Sequence, residues 1–175
     1  MKAFLWGVVT VVIIIVLGGV VFVWSGVYNV AADVPHFKVT FWLLDEAREK
    51  SVAFHSKGIV SPSLKSEKLV ELGFPHFHEM CRLCHGAPGS PRLEFAEGLY
   101  PHPPSLVSKD VQQHLGDAEL FWVVKNGLKM TGMPSFGKTH TEEQLWGIVA
   151  FLRRLPDLTP EEYGTMANNA MGKGS

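Results

Sequence analysis

Two cysteines and a histidine fall within one pentapeptide, Cys81-Arg82-Leu83-Cys84-His85. On a helix, residues three and four apart share a face, so both thiols and the imidazole project together. Thiols at that spacing can add to the two vinyl groups of a porphyrin, and the imidazole beneath them can ligate its iron. C-x-x-C-H therefore reads as an attachment site for haem c. A dithiol redox pair of the thioredoxin kind would sit in a βαβ pattern, which the chain lacks. A zinc knuckle recruiting His76 and His78 would crowd its ligands into ten residues with no distant second pair. Both cysteines of the chain belong to the motif, which leaves none for a structural disulfide.

The elements that must position this motif read as helical, with no strand-like alternation and no internal repeat. The chain has 175 residues and a formal charge of −1, enough for one modest domain plus something extra, without the basic footprint of a nucleic-acid binder. The extra lies at the start. Ala3 to Trp24 carries no charge and is dominated by Val, Ile, Leu and Gly. As a helix it would be about 33 Å long, enough to cross a hydrocarbon core. A cleaved signal peptide is the competing reading, and Val30-Ala31-Ala32 resembles a cleavage site. The apolar run exceeds the roughly 7–15 residues such a peptide needs, which favours a retained anchor. Lys2, alone before the span, places the N-terminus on the cytoplasmic side.

A connector from Tyr28 to Pro35 follows, then a helix from Val39 to His55 with Phe41, Trp42, Leu43 and Leu44 near its start. That helix either covers one side of the haem domain or lies on lipid or a membrane partner. Gly58 to Ser66 reads as a linker. The helix bearing the cysteines is expected to start at or just after Gly73, with Pro75 in its first turn, where a missing N–H is harmless. Seven prolines and glycines between Pro88 and Pro104 predict an ordered loop. Asp117 reads as the N-cap of a helix ending at Gly127, and Thr141-Glu142-Glu143-Gln144 as a capping box opening another that stops before Pro156. The residues after Pro160 are expected to fray.

A haem iron in an electron-transfer protein usually takes a methionine as its second ligand, which raises its potential. Six methionines compete. Met1 is in the anchor, Met80 adjoins Cys81, and Met166 and Met171 lie in the tail. Met133, between Gly132 and Pro134, sits in a loop that can aim it at a fixed object. Met130, three residues earlier, is expected to pack the haem edge or the preceding helix. His102, His114 and His140 remain as alternative second ligands, which would lower the potential.

From Leu69 to Leu155 the chain resembles a class I cytochrome c. Gly73, Phe77 and Cys81-x-x-Cys84-His85-Gly86 match that family's order of glycine, aromatic and haem motif, and Phe151 sits where the family has an aromatic on its last helix. The resemblance implies that this helix crosses the first one closely at the glycine. Pro103-Pro104-Ser105-Leu106 resembles the family's loop segment, implying that the Pro104 carbonyl accepts a hydrogen bond from the proximal imidazole. Asn126 to Gly137, containing Gly132-Met133-Pro134, resembles the segment with the axial methionine. The Tyr-Asn-Val-Ala-Ala-Asp connector is similar to that of membrane-anchored bacterial monohaem cytochromes.

The expectation is an all-α protein: a transmembrane anchor (1–25), a juxtamembrane connector and helix (26–65), a haem domain (66–157) and a C-terminal tail (158–175). One covalent haem c would be bound by Cys81, Cys84, His85, Met133 and Pro104, with His85 and Met133 on the metal. The protein would sit in a bacterial inner membrane with its haem domain on the periplasmic side. Filled axial positions argue for a carrier without a small-molecule substrate, passing single electrons between redox protein partners. Lys125, Lys129 and Lys138 near the methionine loop could meet an acidic partner. The alternatives are a permanent subunit of a respiratory or dehydrogenase complex, docking through residues 35–57, and a haem enzyme or gas sensor with a labile second ligand.

Overall fold

A computed structural model describes residues 1–172 of the chain, which divide into two compact units, 1–35 and 36 onward. The described residues are helical, with no strand among them and a single isolated bridge between Ala87 and Ser90.

The first unit is one helix, α1 (Lys2–Ser25), closed by Gly26 in the left-handed region at φ 64°. None of its residues is buried. Apolar side chains on every face suit a hydrocarbon surrounding rather than a one-sided core. By length and composition, α1 can cross a membrane.

The second unit begins with α2 (Lys38–His55). Its C-terminal half is held: Val52 is buried, Glu49 lies 3.1 Å from His114, and His55 stacks on Trp122 at 5.7 Å. Its N-terminal turns leave Val39, Trp42 and Leu43 exposed. After a coil that contains Gly58 comes α3 (Glu67–His76), continued by a π turn (Phe77–Cys81) and a single turn α4 (Arg82–His85). Short helices α5 (Glu94–Glu97) and α6 (Lys109–His114) interrupt the following loops. Then come α7 (Asp117–Asn126), α8 (Glu142–Arg154) with a 3-10 turn (Leu155–Asp157), and α9 (Pro160–Gly172).

The core forms where α3 crosses α8. Gly73 and Gly147 meet backbone to backbone, and a Cβ at Gly73 would lie 1.9 Å from the Gly147 carbonyl oxygen. No rotamer relieves a clash with backbone, so only glycine fits. Phe151, fully buried, packs edge-on against Phe74 at 5.3 Å and tilted against Phe77 at 5.0 Å. Trp146 on the other side of α8 stacks on Phe121 of α7 at 4.1 Å. Arg153 fastens the α6–α7 corner to α8, donating to Asp117 Oδ1 at 2.8 Å, to the Leu115 carbonyl at 2.7 Å and to the Gln112 carbonyl.

Four local expectations change. The cysteine-bearing helix starts at Glu67, not near Gly73, because Gly73 serves the crossing rather than a boundary. Pro75 lies inside that helix, and the ladder after it widens to the π turn, with the Arg82 N–H reaching the Phe77 carbonyl. Gly116, not Asp117, caps α7. Glu119 Oε2 accepts the Gly116 N–H at 2.8 Å, while the Asp117 carboxylate goes to Arg153. The chain beyond Pro160 is a docked helix through Gly172 rather than a frayed end; Lys173 to Ser175 lie outside the described residues. Thr159 and Glu162 exchange cap bonds at 2.8 and 3.2 Å, with Pro160 at the first helical position, and Tyr163 and Ala167 bury against the core.

Candidate functional site

Cys81 closes the π turn and Cys84 and His85 fill α4, so the pentapeptide stays in one unbroken helical path. Gly86 ends it at φ 73°, where the backbone turns sharply into the Ala87–Ser90 turn. The loop then returns to the motif, the Leu93 N–H donating to the Leu83 carbonyl at 2.9 Å. No disulfide joins the two cysteines. Burial pushes the Cys81 thiol up to about 12, with Cys84 beside it adding to the effect, and burial raises the Cys84 thiol as well. Neither is an ionised nucleophile at neutral pH, which speaks against a thiolate-based dithiol exchanger.

His85 Nδ1 lies 2.7 Å from the Pro104 carbonyl oxygen. A carbonyl only accepts, so Nδ1 carries the proton and the lone pair on Nε2 is left for a metal. Burial lowers the pKa of this ring; the Pro104 bond opposes that and the Arg92 charge adds to it. The imidazole is thus neutral and oriented.

Met133 comes from the loop between α7 and α8. Gly127 ends α7 at φ 67°, its N–H on the Val123 carbonyl at 2.8 Å, and a Cβ there would strike the Pro134 carbonyl at 2.7 Å. Thr131 then closes the loop on itself: Oγ1 donates to the Leu128 carbonyl at 2.8 Å and accepts the Met133 N–H at 3.1 Å. Ser135 Oγ and the Gly137 N–H both reach the Lys125 carbonyl at 2.8 Å, seating the loop on the end of α7. Met133 is half-buried and packs against the core cluster, as does Cys81. Met130 has a left-handed backbone at φ 59° and is 76% exposed, so it does not pack the preceding helix. Leu99, from the loop after α5, fits against Gly132 and joins the two loops.

The remaining histidines have other company. His114 meets Glu49 at 3.1 Å, His140 stands edge-on to His76 at 4.8 Å, and His102 is exposed. His78 Nδ1 lies 2.8 Å from the Tyr163 hydroxyl. Among the described residues no three His, Cys, Asp or Glu side chains gather into a metal-binding group of their own. Lys125 is engaged with Glu142 at 2.6 Å and lies over the Phe121 ring.

Sequence reasoning passed over Arg92, Arg153 and Tyr163. For Tyr163 a signal exists, the capping box Thr159-Pro160-Glu161-Glu162; for the two arginines none does, since the loop carbonyls they hold and the carboxylates of Glu97 and Asp117 come together only in the folded chain.

The donor set fits haem c: two thiols at the attachment spacing, a neutral imidazole with one nitrogen committed, and a thioether on the loop between α7 and α8. Residues 68–152 match the family model described as cytochrome C oxidase, cbb3-type, subunit III. A search of curated proteins returned no match to the chain. The chain thus carries a monohaem class I cytochrome c domain with covalently bound haem c, behind an N-terminal apolar helix long enough to span a membrane.

Proposed function

We propose that the protein is a membrane-tethered carrier that passes one electron at a time between redox protein partners, its haem iron held by His85 and Met133. Haem c bound there supplies a one-electron iron couple. Cys81 and Cys84 would hold the group through two thioethers, and His85 Nε2 would ligate the iron. Pro104 keeps the ring neutral and oriented and strengthens its donation. Met133, presented by a loop closed on itself, would take the second position and leave none open for a substrate. The observation that carries this reading is the pairing of a committed imidazole, 2.7 Å from Pro104, with a hydrogen-bonded loop around Met133. In this reading α1 is a retained anchor in a bacterial inner membrane, with the haem domain on the periplasmic side.

The test is a pair of substitutions. Met133→Ala should abolish the weak red charge-transfer absorption of iron–thioether bonding, lower the potential and let the ferrous protein bind carbon monoxide. Met130→Ala should leave all three unchanged. Wild-type protein that binds carbon monoxide readily at neutral pH would instead mark a haem enzyme or sensor.

A second reading is supported by the match to an oxidase subunit model: the same domain as a permanent part of a membrane oxidoreductase complex. Purification in mild detergent separates the two, since a carrier emerges alone and a subunit brings its neighbours.

A further inference from the structure

The geometry points to Arg92 as a positioning residue for the proximal imidazole, acting through the Pro103–Pro104 backbone. The inference rests on the reading of His85 as the iron ligand. It starts from an accounting of donors. Pro103 and Pro104 have no N–H between them, so this stretch of loop can be anchored only through its carbonyls. Each carbonyl has one side-chain donor. The Pro104 oxygen receives His85 Nδ1–H at 2.7 Å, and the Pro103 oxygen receives Arg92 Nη1–H at 2.8 Å.

Arg92 is well placed to hold its end. Its backbone lies in the loop that folds back on the haem motif, beside Gly86, and the next residue bonds the Leu83 carbonyl at 2.9 Å. Its guanidinium is gripped from the far side by Glu97 Oε1, 2.9 Å from Nε. A planar fork fixed at Nε directs its remaining N–H groups along set lines, which a flexible lysine ammonium cannot do. The path Glu97–Arg92–Pro103–Pro104–His85 therefore runs from α5 to the ring. Without Arg92, the nearest side-chain anchors of this loop would be the imidazole itself and Gln112, which donates to the Leu106 carbonyl at 2.9 Å.

A merely structural arginine and a positioning one predict different things. Reduction potential alone is a poor judge, because a weaker Pro104 bond and a lost positive charge push it in opposite directions. The direct reporter is exchange of the His85 Nδ1 proton with solvent, followed by NMR on the ferrous full-chain holoprotein in detergent. Arg92→Lys keeps the charge and Arg92→Gln removes it. Both should speed exchange about tenfold, the scale of one hydrogen bond, relative to α8 amides that open only with global unfolding. Unchanged exchange in Arg92→Lys, or acceleration no greater than that of the α8 amides, would overturn the proposal. In wild-type protein the His85 ring-carbon protons must carry the ring-current shift of an axial ligand. If they do not, the ligand reading fails first, and separately from the role of Arg92.

Discussion

In the ligation proposed above, the two sides of the haem site, His85 and Met133, are held by opposite means. On the proximal side a single helical path supplies Cys81, Cys84 and His85, and one long-range bond to Pro104 fixes the ring. On the distal side no regular element carries Met133. A loop does, shaped by Gly127 at φ 67° and by the two bonds of Thr131. The proximal frame borrows rigidity from a helix that is itself clamped to α8, whereas the distal frame is made from its own short contacts. Opening the distal side should therefore be a local event, while opening the proximal side requires the core to give way.

The largest effect should come from removing the support both sides share. Gly73→Ala puts a Cβ 1.9 Å from the Gly147 carbonyl, so the helices must separate. The expectation is loss of folded holoprotein, visible as absent haem-linked peroxidase stain and lost helical circular dichroism. Normal yield and thermal stability would mean the crossing is not the common support.

A smaller and one-sided effect is expected of Thr131→Val, which keeps the shape but deletes the hydroxyl. Two hydrogen bonds at about 1 kcal/mol each make the methionine loop roughly 30-fold easier to open. Ferrous protein should bind carbon monoxide correspondingly faster, while His85 Nδ1 proton exchange stays as in the parent. Acceleration of both would show that the two sides are coupled and that the contrast between them is wrong.

The smallest effect is a pH dependence on the proximal side. Burial pushes the Tyr163 phenol up to about 12 from its usual 10. The unfolded chain releases this proton near pH 10 and the folded one only near 12, so in between the unfolded state holds fewer protons and is favoured. Stability is full below pH 10 and falls as pH rises through 12. Urea midpoints of the parent should decline over that window, and those of Tyr163→Phe should decline less. Parallel curves would remove Tyr163 from the account.

What the sequence made legible follows the same division. The haem motif and the Thr141 capping box were readable because their information lies within five residues. The all-α architecture followed from helix signals without strand-like alternation, the close approach at Gly73 from the resemblance, and both are present. The start of α3 was misplaced because Gly73 and Pro75 are breakers by local propensity, and the contact with Gly147 that explains the glycine lies on a distant helix. Asp117 satisfied the rule for an N-cap, yet Arg153 claims its carboxylate from the far end of α8. In α9, small polar residues hid two buried ones behind a composition that resembles a loose end. Met130 was expected against the haem edge or the preceding helix, and it does not pack that helix. A left-handed backbone turns it outward, and nothing in its own residue type signals that.

The glycine crossing also bears on how fast the domain can form. Helical domains usually fold quickly because their contacts are local, but Gly73 and Gly147 are roughly seventy residues apart in the chain, and closing that distance costs entropy before any packing repays it. The neighbouring α7 and α8 can associate earlier, across the single loop 127–141 that joins them. Seating α3 on α8 comes at a higher entropic barrier, and it is the step that brings the proximal and distal frames onto a common core. The time needed to assemble an electron-transfer site here is therefore set by the meeting of two residues that have no side chain at all.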